Sequence, residues 1–275
     1  MRRALLASTV LGVAVVLGGC AGDPQADGPD VDDTSMGHIH GLGVNPADDT
    51  LYAATHLGLF RVDDGQRTRV ADRWQDTMGF IVVGPDRFLA SGHPDLREDL
   101  PTSLGLIEST DAGETWEPLA LQGEADFHVL ERAGDVLYAY DGTSGSLLST
   151  RDQATFTELY AGPLLSVAAV DSKGPVLAAD GNGRIIEIDP SDGGTRMVGG
   201  PPTVLLDAAP DGTVVSLDPD GSVSVSTDRG ASWREVGSIG GQPSALTVAR
   251  TGWYAATSET ILRSTDDGRT WTPIT

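Results

Sequence analysis

Apolar and polar residues alternate along this chain in short runs. "LYAATH" (51–56) is followed by "LGLFRV" (57–62), "VLYAYDG" (136–142) by "SLLST" (146–150), "TVVSLDPDG" (213–221) by "SVSVST" (222–227), and "WYAATS" (253–258) by "TILRST" (260–265). Period-two alternation over runs this short predicts β-strands rather than helices. Between the runs stand Gly, Asp, Asn and Pro, as in "NPADD", "ERAGD" and "APDG". These residues reverse the chain, Gly through positive φ, Pro through its fixed φ, and Asp and Asn through side-chain hydrogen bonds to nearby backbone. No convincing helical period follows residue 36. The expectation is an all-β domain.

The strands sit in a longer repeat. "STDAGETW" begins at Ser109, "STDRGASW" at Ser226 and "STDDGRTW" at Ser264, with a weaker copy, "STRDQATF", at Ser149. Two eroded copies, "RVDDGQRT" from Arg61 and "DPSDGGTR" from Asp189, complete a series spaced by 48, 40, 40, 37 and 38 residues. Four short strands per unit of about 40 residues is the pattern of a β-propeller blade. Six copies predict six blades over residues 37–275, and the two eroded copies make seven blades the alternative.

The octapeptide resembles the Asp-box, or BNR repeat, of sialidases, sortilin-type receptors and photosystem assembly-factor propellers. That resemblance implies a hairpin between the third and fourth strands (c and d) of each blade. In it Asp111, Asp228 and Asp266 accept backbone N–H groups, and Trp116, Trp233 and Trp271 pack on the hairpin. These residues then serve the fold, because such a repeat identifies an architecture and not an activity. The wider set "HIHGLGV", "ATHLGLF", "SGHPD" and "DFHVL" is similar to exported bacterial lipoproteins of the glycosyl hydrolase-like group with a sialidase-superfamily fold.

The first residues place the domain. "MRRALLASTVLGVAVVLGGC" joins a basic start at Arg2 and Arg3 to an apolar run ending in small residues. It reads as a secretory signal, short for a membrane span. Leu17-Gly18-Gly19-Cys20 resembles the bacterial lipobox, which implies cleavage before Cys20, a lipid on its thiol and display on the outer face of the cell membrane. Residues 1–19 are then the signal peptide. Residues 20–36 are the lipidated cysteine and an acidic disordered tether carrying five Asp and two Pro. Cys20 is the only cysteine, so the propeller has neither disulfide nor thiolate chemistry.

With 40 acidic against 18 basic residues, the formal net charge is −22. Such a surface repels phosphate backbones, which excludes a nucleic-acid partner, and it attracts cations. The candidate chemistry lies in five histidines. With antiparallel strands a to d in each blade, the start of a and the end of b share one end of the blade. His38 and His40 start strand a of blade 1, His56 and His93 close strand b of blades 1 and 2, and His128 starts strand a of blade 3. Met78 starts strand a of blade 2, and blades 4 to 6 contain no histidine. Asp141, Asp180, Asp218 and Thr257 are expected at the end of strand b in the other blades, keeping the funnel acidic. The insertion "HPDLREDLPTSLG" should overhang the histidines.

Imidazoles on several rigid strands suit copper or zinc, and a Met78 thioether favours Cu(I). Two other readings compete. A sialidase-type mechanism needs three arginines, and only Arg73, Arg97 and Arg184 could reach this end; where that family carries Arg-Ile-Pro, the chain reads "GHIHGLG". A general glycosidase needs two carboxylates, for which Asp95, Glu98, Asp99, Glu124 and Asp126 are available. A scaffold for an extracytoplasmic protein partner would need none of the histidines. The reading favoured by the residues is a lipid-anchored propeller that binds a metal or small ligand.

Overall fold

A computed structural model describes residues 35–275 apart from Pro210 and Glu259. The expected signal segment, Cys20 and the tether through residue 34 lie outside the described residues. Six four-stranded antiparallel sheets form a six-bladed β-propeller, each with its strands in chain order a-b-c-d. Blade 1 spans residues 39–69, blade 2 76–120, blade 3 127–161, blade 4 164–197, blade 5 205–238 and blade 6 245–273. The count of six replaces the seven-bladed alternative. The described residues contain no helix.

Strand b explains the architecture. Leu51–Thr55, Val136–Asp141 and Val176–Asp180 are buried at every position, so both sheet faces need cover. A neighbouring blade on each side supplies it. One apolar cluster accordingly fills each interface: Tyr52, Leu59, Phe80 and Phe88 between blades 1 and 2, and Leu89, Phe127 and Leu137 between blades 2 and 3. Every sheet consists of four consecutive strands, so no strand is exchanged to close the ring. Closure falls to Met36, Ile39, Phe60, Tyr254 and Ile261, buried together between blades 1 and 6. At about 1.5–3 kcal/mol for each large apolar side chain, burial can supply what a shared strand would.

The octapeptides form the c–d turns. In blade 2 Thr115 donates its backbone N–H to Asp111 Oδ1 (2.9 Å) and its hydroxyl to Oδ2 (2.6 Å), while Ser109 Oγ donates to Oδ1 (2.8 Å). Gly113 sits at φ 92°. The positive φ favours glycine, and a Cβ there, 2.4 Å from Leu59 Cδ2 in blade 1, would in addition push that side chain aside. The same bonds recur around Asp228 and Asp266. Those around Asp266, chiefly from Thr270, hold its carboxyl down at about 2.

Trp116, Trp233 and Trp271 reach beyond their own hairpins. They pack against the interface clusters shared with the preceding blade, while Trp233 and Trp271 still donate their indole N–H groups to Gly230 and Gly268 carbonyls. The weaker copy is offset by one residue: Thr150 takes the serine role and Asp152 collects the N–H groups of Ala154 and Thr155. The blade 1 copy is a different device. Asp64 (φ 46°) and Gly65 (φ 78°) make a two-residue turn of the kind that suits a twisted hairpin.

Candidate functional site

In each of blades 1 to 4 strand a breaks register with strand b near its start, and the unpaired residue is His40, Met78, His128 and Leu165 in turn; blade 2 has a second break, between Val82 and Gly84. Blades 5 and 6 pair without a break. A bulge re-aims the side chain it carries. All four bulged residues line one channel of about 220 Å³, walled by strand a of every blade. Two residues before the bulges in blades 1 to 3 stand His38, Asp76 and Asp126. Opposite them, at or just past the end of strand b, stand His56, His93 and Gly142.

At the first of these positions three ligand-type atoms converge. His56 Nδ1 lies 3.0 Å from Asp76 Oδ1, His40 Nε2 lies 3.1 Å from His56 Nδ1, and His40 Nε2 lies 3.5 Å from Asp76 Oδ1. Among the described residues this is the group of His, Cys, Asp and Glu whose ligand atoms all lie within 4.8 Å of one another. Tetrahedral bonds of about 2.0–2.1 Å space ligand atoms by about 3.3 Å, so the triangle has the size an ion needs. Burial pushes the Asp76 carboxyl up, but hydrogen bonds and charge from His40 and His56 outweigh it and leave the group below its usual range. His38 stands beside the triangle, its ring 4.9 Å from that of His40 and 5.8 Å from that of His56. Burial, then the neighbouring imidazoles, lower its pKa.

His93 and His128 belong to a second group around Asp126. His128 Nε2 is 2.9 Å and His93 Nε2 3.6 Å from the same oxygen, Asp126 Oδ2. The hydrogen bond to Asp126 raises the His128 pKa against the opposing effect of burial. The blade 2 insertion reaches this group as expected: Thr102 O accepts a hydrogen bond from His93 Nδ1 at 2.8 Å. Asp95 anchors the insertion by accepting from the Arg97 guanidinium and the Trp74 N–H, which hold it well below the usual carboxylate range.

The five histidines and Met78 thus gather at neighbouring positions of three blades, as two groups. The two aspartates completing those groups, Asp76 and Asp126, are new as ligand candidates. Their signal is visible in retrospect: "HIH" (38–40), "DTM" (76–78) and "DFH" (126–128) are one pattern at one place in three blades.

Several expected rim groups are otherwise engaged. Asp141, Asp180 and Asp218 stand one residue earlier than His56 and His93 and close their own b–c turns. Asp141 accepts from Thr143 and Ser144, Asp180 from Asn182 and Arg184, and Asp218 from Asp220 and Ser222. Arg73 pairs with Glu98, Arg97 with Asp95 and Asp72, and Arg184 with Asp180. The three arginines therefore form no common clamp. Glu131 and Asp207 also line the channel, and burial raises both, Asp207 to about 7.

No family model matches the chain, and no curated protein matches it. Solved structures do. A gluconolactonase from Xanthomonas campestris is similar with TM-score 0.65 and 14% identity over 82% of this chain and 84% of that one. Virginiamycin B lyase from Staphylococcus aureus is similar with TM-score 0.57 and 12% identity over 86% and 84%. YCF48 bound to D1 peptide is similar with TM-score 0.54 and 16% identity over 87% and 82%. At such identities the likeness is one of fold. The class defined is a six-bladed β-propeller whose architecture supports a binding or scaffold role, with a His-His-Asp group able to hold a metal ion.

Proposed function

We propose that this chain is a lipid-anchored, extracytoplasmic Asp-box propeller that binds a transition metal, zinc or copper, through His40, His56 and Asp76. The observation that carries the reading is the triangle with edges of 3.0, 3.1 and 3.5 Å. One cation bound by all three atoms would take the place of the hydrogen bonds among them. The Asp76 carboxylate favours a divalent ion, Zn(II) or Cu(II), and Met78 on the same channel adds a soft donor for Cu(I). The acidic surface raises cation concentration nearby. Leu17-Gly18-Gly19-Cys20 supports the lipid anchor and the location outside the membrane.

Titrating the full chain, purified untagged in detergent, with Zn(II), Cu(II) and Cu(I) tests this. Binding at micromolar affinity or tighter, with the tightest equivalent lost in the His40→Ala/His56→Ala variant and weakened in Asp76→Asn, is the expected result. Equal binding by wild type and double variant would contradict it.

A protein partner is the second reading. One similar structure, YCF48, is bound to a peptide. Here Leu96 is fully exposed (101%) on the anchored insertion that also orients His93. Capture of an extracytoplasmic protein that survives loss of all five histidines and fails with Leu96→Asp would favour this reading.

A further inference from the structure

The second histidine group repeats the first, one blade further round. His40, His56 and Asp76 are the bulged residue of blade 1, the residue closing its strand b, and the residue two before the bulge of blade 2. Advancing each by one blade gives Met78, His93 and Asp126. The next bulged residue adds a fourth member in each case: Met78 to the first set and His128 to the second. Met78 therefore belongs by position to both. Asp76 and His93 are also cross-strand partners in blade 2, so the two sets adjoin.

Two observations at the second set point to a cation. Thr102 O accepts a hydrogen bond from His93 Nδ1, and the ring so held turns its Nε2 toward Asp126 Oδ2, 3.6 Å away, beyond an ordinary hydrogen bond. A cation placed between Nε2 and that oxygen would be held by both. A backbone carbonyl holding the far ring nitrogen is also the usual support of a metal-bound histidine. In addition Asp126, only 6% exposed, has its other oxygen, Oδ1, buried and without a hydrogen-bond partner among the described residues.

We propose that the propeller holds a second divalent-metal position formed by His93, Asp126 and His128, with Met78 between it and the first. The proposal rests on reading His40, His56 and Asp76 as the first metal position. Binding draws His93 inward toward Asp126, so the second ion fills after the first and more weakly. Gly142 shapes the pocket: a Cβ there would lie 2.8 Å from the His128 ring, which packs directly on that glycine.

Co(II) titration of the full chain, followed by its visible absorption, tests the proposal, with bound metal counted after equilibrium dialysis. Wild type should take two equivalents, and His93→Ala/His128→Ala and His40→Ala/His56→Ala one each. Asp126→Asn, which preserves side-chain shape, should weaken only the second equivalent, and circular dichroism should show every variant folded. One equivalent in wild type, unaffected by His93→Ala/His128→Ala and lost with His40→Ala/His56→Ala, overturns the second position and leaves the first standing. One equivalent lost with either pair means a single shared ion and also overturns it. No bound Co(II) in wild type overturns both readings.

Discussion

Blades 1 to 3 and blades 4 to 6 share one construction and differ in what they place at its inner end. Blade 4 carries the same bulge as blades 1 to 3, but the residue aimed into the channel is Leu165 rather than His40, Met78 or His128. Where His56 and His93 stand, blade 4 has Gly181, whose Cβ would fall 2.9 Å from Pro163. Blades 5 and 6 lack the bulge. The comparison teaches that the fold supplies positions and the sequence decides which acquire chemistry. The turn chemistry at the opposite end follows a different rule. Asp111, Asp228 and Asp266 make the same turns in blades 2, 5 and 6 regardless of the histidines.

The comparison can be broken most forcefully at the first triangle. His56→Ala should lower Zn(II) affinity by more than about 100-fold, beyond the range typical of changes to residues that only support ligands; competition with a chelating dye measures it. An effect below tenfold would remove the distinction between the two halves. At the opposite end, Asp111→Ala should cost about 0.5–1.5 kcal/mol, because it removes the exposed hydrogen bonds that close a turn. Asp63→Ala in the blade 1 copy should cost almost nothing, since Asp63 is exposed and closes no such turn. Urea unfolding of the two variants separates them.

Titration distinguishes the halves more finely. In the metal-free protein the His128 NMR titration midpoint should lie above the ordinary histidine value and fall in Asp126→Asn, which removes the main cause of the shift. Because its folded pKa is raised, the stability His128 contributes is complete below its unfolded pKa and is lost as pH rises through the folded one. On the other side of the channel, burial raises Asp207 to about 7. The folded state then holds a proton that the unfolded chain releases near pH 4, so stability should decline between about pH 4 and 7. Burial raises Glu131 as well, so the double variant Asp207→Asn/Glu131→Gln should flatten that slope in melting curves. The smallest effect belongs to Leu165→His. Leu165 is 42% exposed, so the fold should tolerate the change, and metal stoichiometry should not rise, because Pro163 and Gly181 offer no further ligands.

The ring was legible because its punctuation is local. A Ser-Thr-Asp-x-Gly turn closes within five residues, so Ser109, Ser226 and Ser264 announce their blades without reference to the rest of the chain. The positions of the histidines were legible from strand order alone. The bulges were not, because a bulge exists only in the pairing of two strands. Asp141 and Asp180 do end strand b, as expected, but their carboxylates are taken up by their own b–c turns. Missing the bulges hid the equivalence of His38, Asp76 and Asp126, and with it the two carboxylates that complete the ligand groups. The further contacts of the tryptophans were hidden for a related reason. Their partners, such as Leu59 for the Trp116 turn, lie in the preceding blade, far away in sequence.

The central claim is that His40, His56 and Asp76 hold a metal ion, and elemental analysis of the full chain as isolated tests it most directly. The account predicts stoichiometric zinc or copper in the wild-type protein and, in a folded His40→Ala/His56→Ala variant, loss of the ion held by that triangle. A wild-type protein that carries no transition metal, and takes up none at micromolar concentration, would contradict it.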